Sequence, residues 1–289
     1  MTKQQQRASA ALKNLFVADA LAMPVHWYYN PLDIEKAFPG GISRLEAAPE
    51  YHPASIMSLH STAKGGRGEQ ASHGRQREIV GEVILKGRRK YWGVTHQHYH
   101  RQMQAGENTL NAHCARVIMR SLQANAGRYD KLSFLDDYIS FMTADLTCHP
   151  DTYAESYHRG FFANLESGKE KDRCGAVTHD TPSIGGLVTI APIVLSERLQ
   201  GIPLIEVQKH CLQHLFLTHP DKELGHICAV YVELLDALLF RDQAQSPHEL
   251  LARAAKVSIG LDLPALVEKN HDDRYVVGSL FSTACYISG

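Results

Sequence analysis

The stretch HYHRQMQAGENTLNAHCARVIMRSL, from His98 to Leu122, decides how this chain is read. Leu110, Cys114, Val117, Ile118 and Leu122 recur at helical spacing and form one apolar face. Just before them stand Glu107, Asn108 and Thr109, an acid, an amide and a hydroxyl at a helix start. Three ring-bearing polar residues, His98, Tyr99 and His100, lie a few positions earlier. Asn108 or Thr109 suits an N-cap, whose side-chain oxygen takes an orphan N–H of the first turn. The same corner has a second reading. A helix start carries partial positive charge and free N–H groups, and Glu107, Asn108 and Thr109 offer oxygens of the kind a hard divalent cation takes.

Working outward, helices are the rule. Ala8, Leu12, Leu15, Phe16 and Met23 mark a first helix over residues 5–23, and Asp19 falls on its apolar stripe. A carboxylate there is costly unless paired, hydrogen-bonded or metal-bound. Pro24 disturbs that helix, and the aromatic turn VHWYYNP carries His26 and Trp27. A helix is also expected at 75–87, then at 131–145, 151–166, 203–217, 221–240 and 247–258. Pro220 is expected at a first helical position, and HPD, at 149–151 and 219–221, is read as two helix starts. Between them GAVTHDTPSIGGLVTIAPIVLSERL feeds a tight loop into a buried helix, and its Asp180, Thr181, Ser183, Gly185 and Gly186 are types suited to contacting a ligand. An Asx-capped turn explains the same letters. RYVVGSLFSTACYISG reads as a core helix that stops in mid-pattern. Strand-like alternation is scarce and no linker divides the chain. The expectation is all-α: a compact multi-helix bundle forming one domain over 1–289.

Bulk properties narrow the function classes. A formal net charge of −1 gives no argument for nucleic acid or membrane binding. The basic clusters KGGRGEQASHGRQRE and KGRRKYW read as solvated faces. Six scattered cysteines with no CxxC pair suit free thiols in a reducing compartment. With no signal-peptide core and no apolar run of roughly 18 residues, the expected location is the cytoplasm. There is no nucleophile elbow, P-loop or HExxH motif.

In order, ADALAMPVHW, AGENTLNAHCARVIMRSL, SIGGLVTIAPIVL and LTHPD resemble the ADP-ribosylglycohydrolase family, most of all its crystallin-J1-like branch. The resemblance runs from about Ala8 to the end. It implies an all-α orthogonal bundle, a cleft for two Mg²⁺ or Mn²⁺ ions, and hydrolysis of the glycosidic bond joining ADP-ribose to a protein side chain or small molecule. Metal would fall to Glu107, Asn108 and Thr109, catalysis to Glu107 and Asp19. Substrate contacts would fall to His26, His98, His100, Asp180, Thr181, Ser183, Gly185 and Gly186. The partner is an ADP-ribose-like molecule or an ADP-ribosylated protein.

Three departures stand out. Where the family reads Thr-Asp-Asp-Thr, this chain has Gly106, Glu107, Asn108 and Thr109. His26 replaces the usual acid of the first motif. The sequence ends before the family's C-terminal Gly-Asp-x-Asp-Thr ligands and the helices expected with them. The metals are therefore expected to be weakened or lost. Two functions follow: a hydrolase with altered metal use, or a catalytically silent relative that binds an ADP-ribose-like ligand or has a structural role.

Overall fold

The computed structural model describes residues 1–55, 57, 77–177 and 181–269. Asp180, the run from residue 274 to 289, and most of the first basic cluster lie outside them. The principal helices are α1 (Lys3–Ala22), α2 (Pro31–Ala37), α3 (Leu110–Ala124), α4 (Lys131–Thr143), α5 (Ser156–Glu166), α6 (Ile190–Leu199), α7 (Leu204–Phe216), α8 (Lys222–Phe240), α9 (Pro247–Ile259) and α10 (Leu263–Lys269). Only two isolated bridges, Tyr51 with Gln97 and Val80 with Ile84, interrupt the helical pattern among the described residues.

α6 is the post of the bundle. Seven of its ten residues are buried, six of them apolar and the seventh Glu197, whose carboxylate is hydrogen-bonded by Tyr129 N and His210. It packs against α1, α3, α7 and α8, and α3 packs on α4. On α3, Leu110, Cys114, Val117, Ile118 and Leu122 are all buried, so the stripe seen in the sequence is the face that meets the core. Asp130 and Asp221 cap α4 and α8, accepting from Ser133 N at 2.6 Å and Leu224 N at 2.8 Å. Capping of this kind contributes about 1 kcal/mol per helix. By length and composition residues 3–25 resemble a membrane-crossing segment. Here they pack on α3, α6 and α8 and carry the buried Asp19.

Three expectations need correcting. From Ile79 to Val83 the chain makes a single wide turn in place of a long helix. Gly81 sits at φ 103°, and a Cβ on it would lie 2.8 Å from Arg89 Cβ, so glycine there marks a sharp bend. α5 begins at Ser156, five residues later than expected, because Asp151 and Thr152 are bonded to other parts of the fold. Pro220 precedes α8, whose cap is Asp221. Of the two HPD motifs, only the second starts a helix.

Ile118, with no exposed surface, is expected to cost roughly 2–5 kcal/mol when truncated to alanine. Val257→Ala, at a position 79% exposed, should change stability by about 0.5 kcal/mol or less. Urea unfolding of the two variants checks the assignment of inside and outside.

Candidate functional site

The first turn of α3 is built by three acids that come from elsewhere in the chain. Asp19 of α1, 7% exposed, accepts from Thr109 N at 2.8 Å and Thr109 Oγ1 at 2.6 Å. It also accepts from Asn108 Nδ2 at 3.0 Å. Asp151, 1% exposed, accepts from Leu110 N at 2.7 Å. Glu155, the cap residue of α5, accepts from Asn111 Nδ2 at 2.8 Å. Thr109 thus occupies the cap position without capping: its hydroxyl donates outward, and remote carboxylates take the orphan N–H groups. Negative charge at this end is favoured by the helix dipole.

Asn108 is committed on every side. Its amide nitrogen donates to Phe16 O at 2.7 Å and to Asp19, while its carbonyl oxygen accepts from Arg116 Nη2 at 2.6 Å. Turning the amide over would set oxygen against oxygen and N–H against N–H, so the partners fix its orientation. Arg116 also lies 4.7 Å from the centre of the Phe16 ring. Burial pushes the Asp19 carboxyl up from its usual range, against the pull of Thr109 and Asn108.

These residues do not fit a divalent ion as they stand. Asp19 already uses three of its roughly four acceptor positions, Thr109 Oγ1 donates to it, and a cationic side chain holds the Asn108 oxygen. Glu107 is half-buried, and its Oε2 accepts from Gln104 N at 2.7 Å, closing its own turn. Among the described residues no group of three or more His, Cys, Asp or Glu could hold a metal ion.

Beside this corner lies a histidine cluster. His100 Nδ1 meets Asp151 Oδ1 at 2.8 Å, and His100 Nε2 meets His26 Nδ1 at 2.9 Å. His98 Nε2 meets Pro24 O at 3.0 Å, its Nδ1 accepts from His100 N at 3.1 Å, and His52 Nε2 meets His26 O at 2.9 Å. Trp27 stacks on His100 at 5.4 Å and contacts Tyr99 and Tyr153. The wholly buried Arg159 sits over Trp92 and Tyr153. Burial holds His98 down at about 3. Burial also holds His113 and His149 down at about 4. For Asp151 burial acts upward, but the His100 ring, His149 and Leu110 N–H outweigh it and bring the carboxyl down to about 2.

The SIGG loop reaches the same end of α3 through Glu155. A Cβ on Gly185 would lie 2.9 Å from Glu155 Oε2, and one on Gly186 would lie 2.8 Å from His219 Cγ. Ser183 Oγ is buried without a partner among the described residues, and Thr181 Oγ1 donates to Ala176 O at 3.1 Å. Asp19, Asn108 and Thr109 therefore meet one another, His26 meets His100, and His98 borders them. Asp151, Glu155, Asn111 and Arg116 were not singled out from the sequence. The available signal was an acid pair four residues apart in DTYAE, which helix-start chemistry explained equally well.

The ADP-ribosylglycohydrolase family model matches residues 1–275, and the chain belongs to that family. It is a family of glycosidic hydrolases that act on ADP-ribosylated substrates and depend on divalent metal. No curated protein and no solved structure matches the chain.

Asp19→Asn is expected to destabilise the protein by roughly 2–4 kcal/mol, since an amide N–H would face the Thr109 donors; urea unfolding reads this. The low-titrating histidines carry a pH sign. Unfolded, each takes a proton near 6.5; folded, His98 does so near 3, and His113 and His149 near 4. Between those values the unfolded chain binds more protons, so stability falls as pH falls, by at most about 1.4 kcal/mol per histidine per unit. Thermal melting should drop steadily from pH 7 toward pH 4, and a flat profile would refute the buried neutral state.

Proposed function

We propose that this protein hydrolyses the glycosidic bond of an ADP-ribosyl adduct, and that it binds its ADP-ribose-like ligand without needing Mg²⁺ or Mn²⁺ at Glu107, Asn108 and Thr109. Membership of the family supports the reaction class. The observation that carries the metal-independent part is the closed corner, in which Arg116 supplies positive charge to the Asn108 carbonyl and Thr109 and Asn108 occupy Asp19. The ligand surface in this reading is the half-buried His26 together with Ser183, Gly185 and Gly186; contrary to the expectation from sequence, His98 and His100 are buried with both ring nitrogens engaged and lie behind it. The free thiols Cys114, Cys148, Cys174, Cys211 and Cys228 agree with a reducing, cytoplasmic setting.

A second reading rests on the same corner. In a crystallin-J1-like, catalytically silent relative, the bonds that replace the metal would preserve the fold and a ligand pocket while the chemistry is lost. Release of free ADP-ribose from a panel of ADP-ribosylated proteins separates the two.

Calorimetric titration with ADP-ribose in EDTA and in excess Mg²⁺ or Mn²⁺ tests the metal-independent part. The expected dissociation constants agree within about threefold, or about 0.7 kcal/mol. Binding that tightens more than about tenfold with metal would overturn it.

A further inference from the structure

The geometry points to the hydrogen-bonded chain Asp151–His100–His26 as a proton relay, with His26 Nε2 as its accepting end and general base for the hydrolysis. This rests on the hydrolase reading above.

The order of the protons follows from the partners. Asp151 is ionised, so it accepts, and His100 Nδ1 donates to it. In neutral His100 the other ring nitrogen, Nε2, is then an acceptor. It meets His26 Nδ1 at 2.9 Å, so His26 Nδ1 carries the proton between them. In neutral His26 this leaves a lone pair on Nε2. That atom has no hydrogen bond to a described group and is not sealed from solvent, since His26 is only half-buried. Desolvation in this packed cluster holds His26 well below its ordinary value, so the base is in its free form at neutral pH.

The surroundings keep the chain in line. Asp151 is anchored a second time by Leu110 N and a third by Tyr153 N at 3.0 Å. His100 is clamped under Trp27. Trp27 itself is held at φ 59°, a conformation that costs a bulky residue roughly 1–3 kcal/mol and persists only where neighbours over-determine it. The other titratable groups facing the relay are Asp19 from α1, His52 against the His26 carbonyl, His98 between Pro24 and His100, and His149 beside Asp151. His26 is the member placed to touch substrate; His100 and Asp151 act through it as positioning residues.

The step balances with water as the only co-reactant. A water oxygen bonds to the anomeric carbon as the bond from that carbon to the leaving atom breaks, and the leaving atom keeps the bonding pair. One water proton goes to His26 Nε2, while the Nδ1 proton of His26 moves to His100 Nε2. Positive charge then rests on His100 against the Asp151 carboxylate. Reversal of the relay delivers a proton from His26 Nε2 to the leaving group.

Two measurements on the full chain test this. Imidazole ¹⁵N spectra should show His26 protonated at Nδ1 and bare at Nε2, and an Nε2–H tautomer would overturn the relay. In an ADP-ribose release assay, His26→Asn, which keeps a donor toward His100, should lower kcat about 100-fold or more. His100→Gln should lower kcat less and shift the acid limb of the pH–rate profile. Retained activity in a folded His26→Asn would overturn the catalytic assignment. If that variant does not fold, His26→Gln takes its place under the same criterion. A wild-type chain that releases no ADP-ribose would sink the hydrolase reading, and the tautomer spectrum would still decide the relay.

Discussion

The arrangement depends on where the first N–H groups of α3 find their acceptors. A helix start leaves such groups unpaired, and here they are taken by Asp19 and Asp151 from distant parts of the chain. Each acid gains several donors and the favourable end of a helix dipole, which offsets the cost of burying its charge. In return, α1 and the segment before α5 are drawn to one point. The histidines, the aromatic rings and the SIGG loop take their places around that point.

The two buried acids behave differently, and the difference divides the site into two halves. Asp19 faces neutral donors, so burial prevails and its carboxyl is pushed up. Asp151 faces the ring of His100, and interaction prevails over burial, bringing it down to about 2. The first half is a closed latch in which every polar atom of Asn108 is engaged. The second half ends at a ring nitrogen open to solvent. In the proposed relay the chemistry falls to the open half, because a group already saturated by its neighbours has nothing left to offer a substrate.

The closed latch also bears on the departures from the family pattern. Where the resemblance places one of the family's acids, Asn108 carries no charge, and Arg116 brings a positive one to its amide oxygen. Both changes lower the attraction for a cation. The residues that softened the motif are thus joined in one network with Asp19, which keeps the helix start anchored without an ion.

Much of the fold was legible from residue spacing. The stripe Leu110 to Leu122 is local information, since helical periodicity fixes which side chains share a face. Asp19 was also legible as an anomaly, because a carboxylate on an apolar stripe demands a partner. The identity of that partner was not. Thr109 and Asn108 lie some ninety positions away, and no local pattern encodes a contact of that span. Asp151 shows the limit most clearly. In HPD it has the letters of a helix cap, as does Asp221, which is one. Only the approach of His100 and Leu110 in three dimensions makes the first a buried anchor, because a carboxylate takes whichever donors the packed chain brings nearest. Sequence alone determined most of the long helices and the family to which the chain belongs. Tertiary structure decided which polar residues were spent on holding α3 and which were left facing solvent.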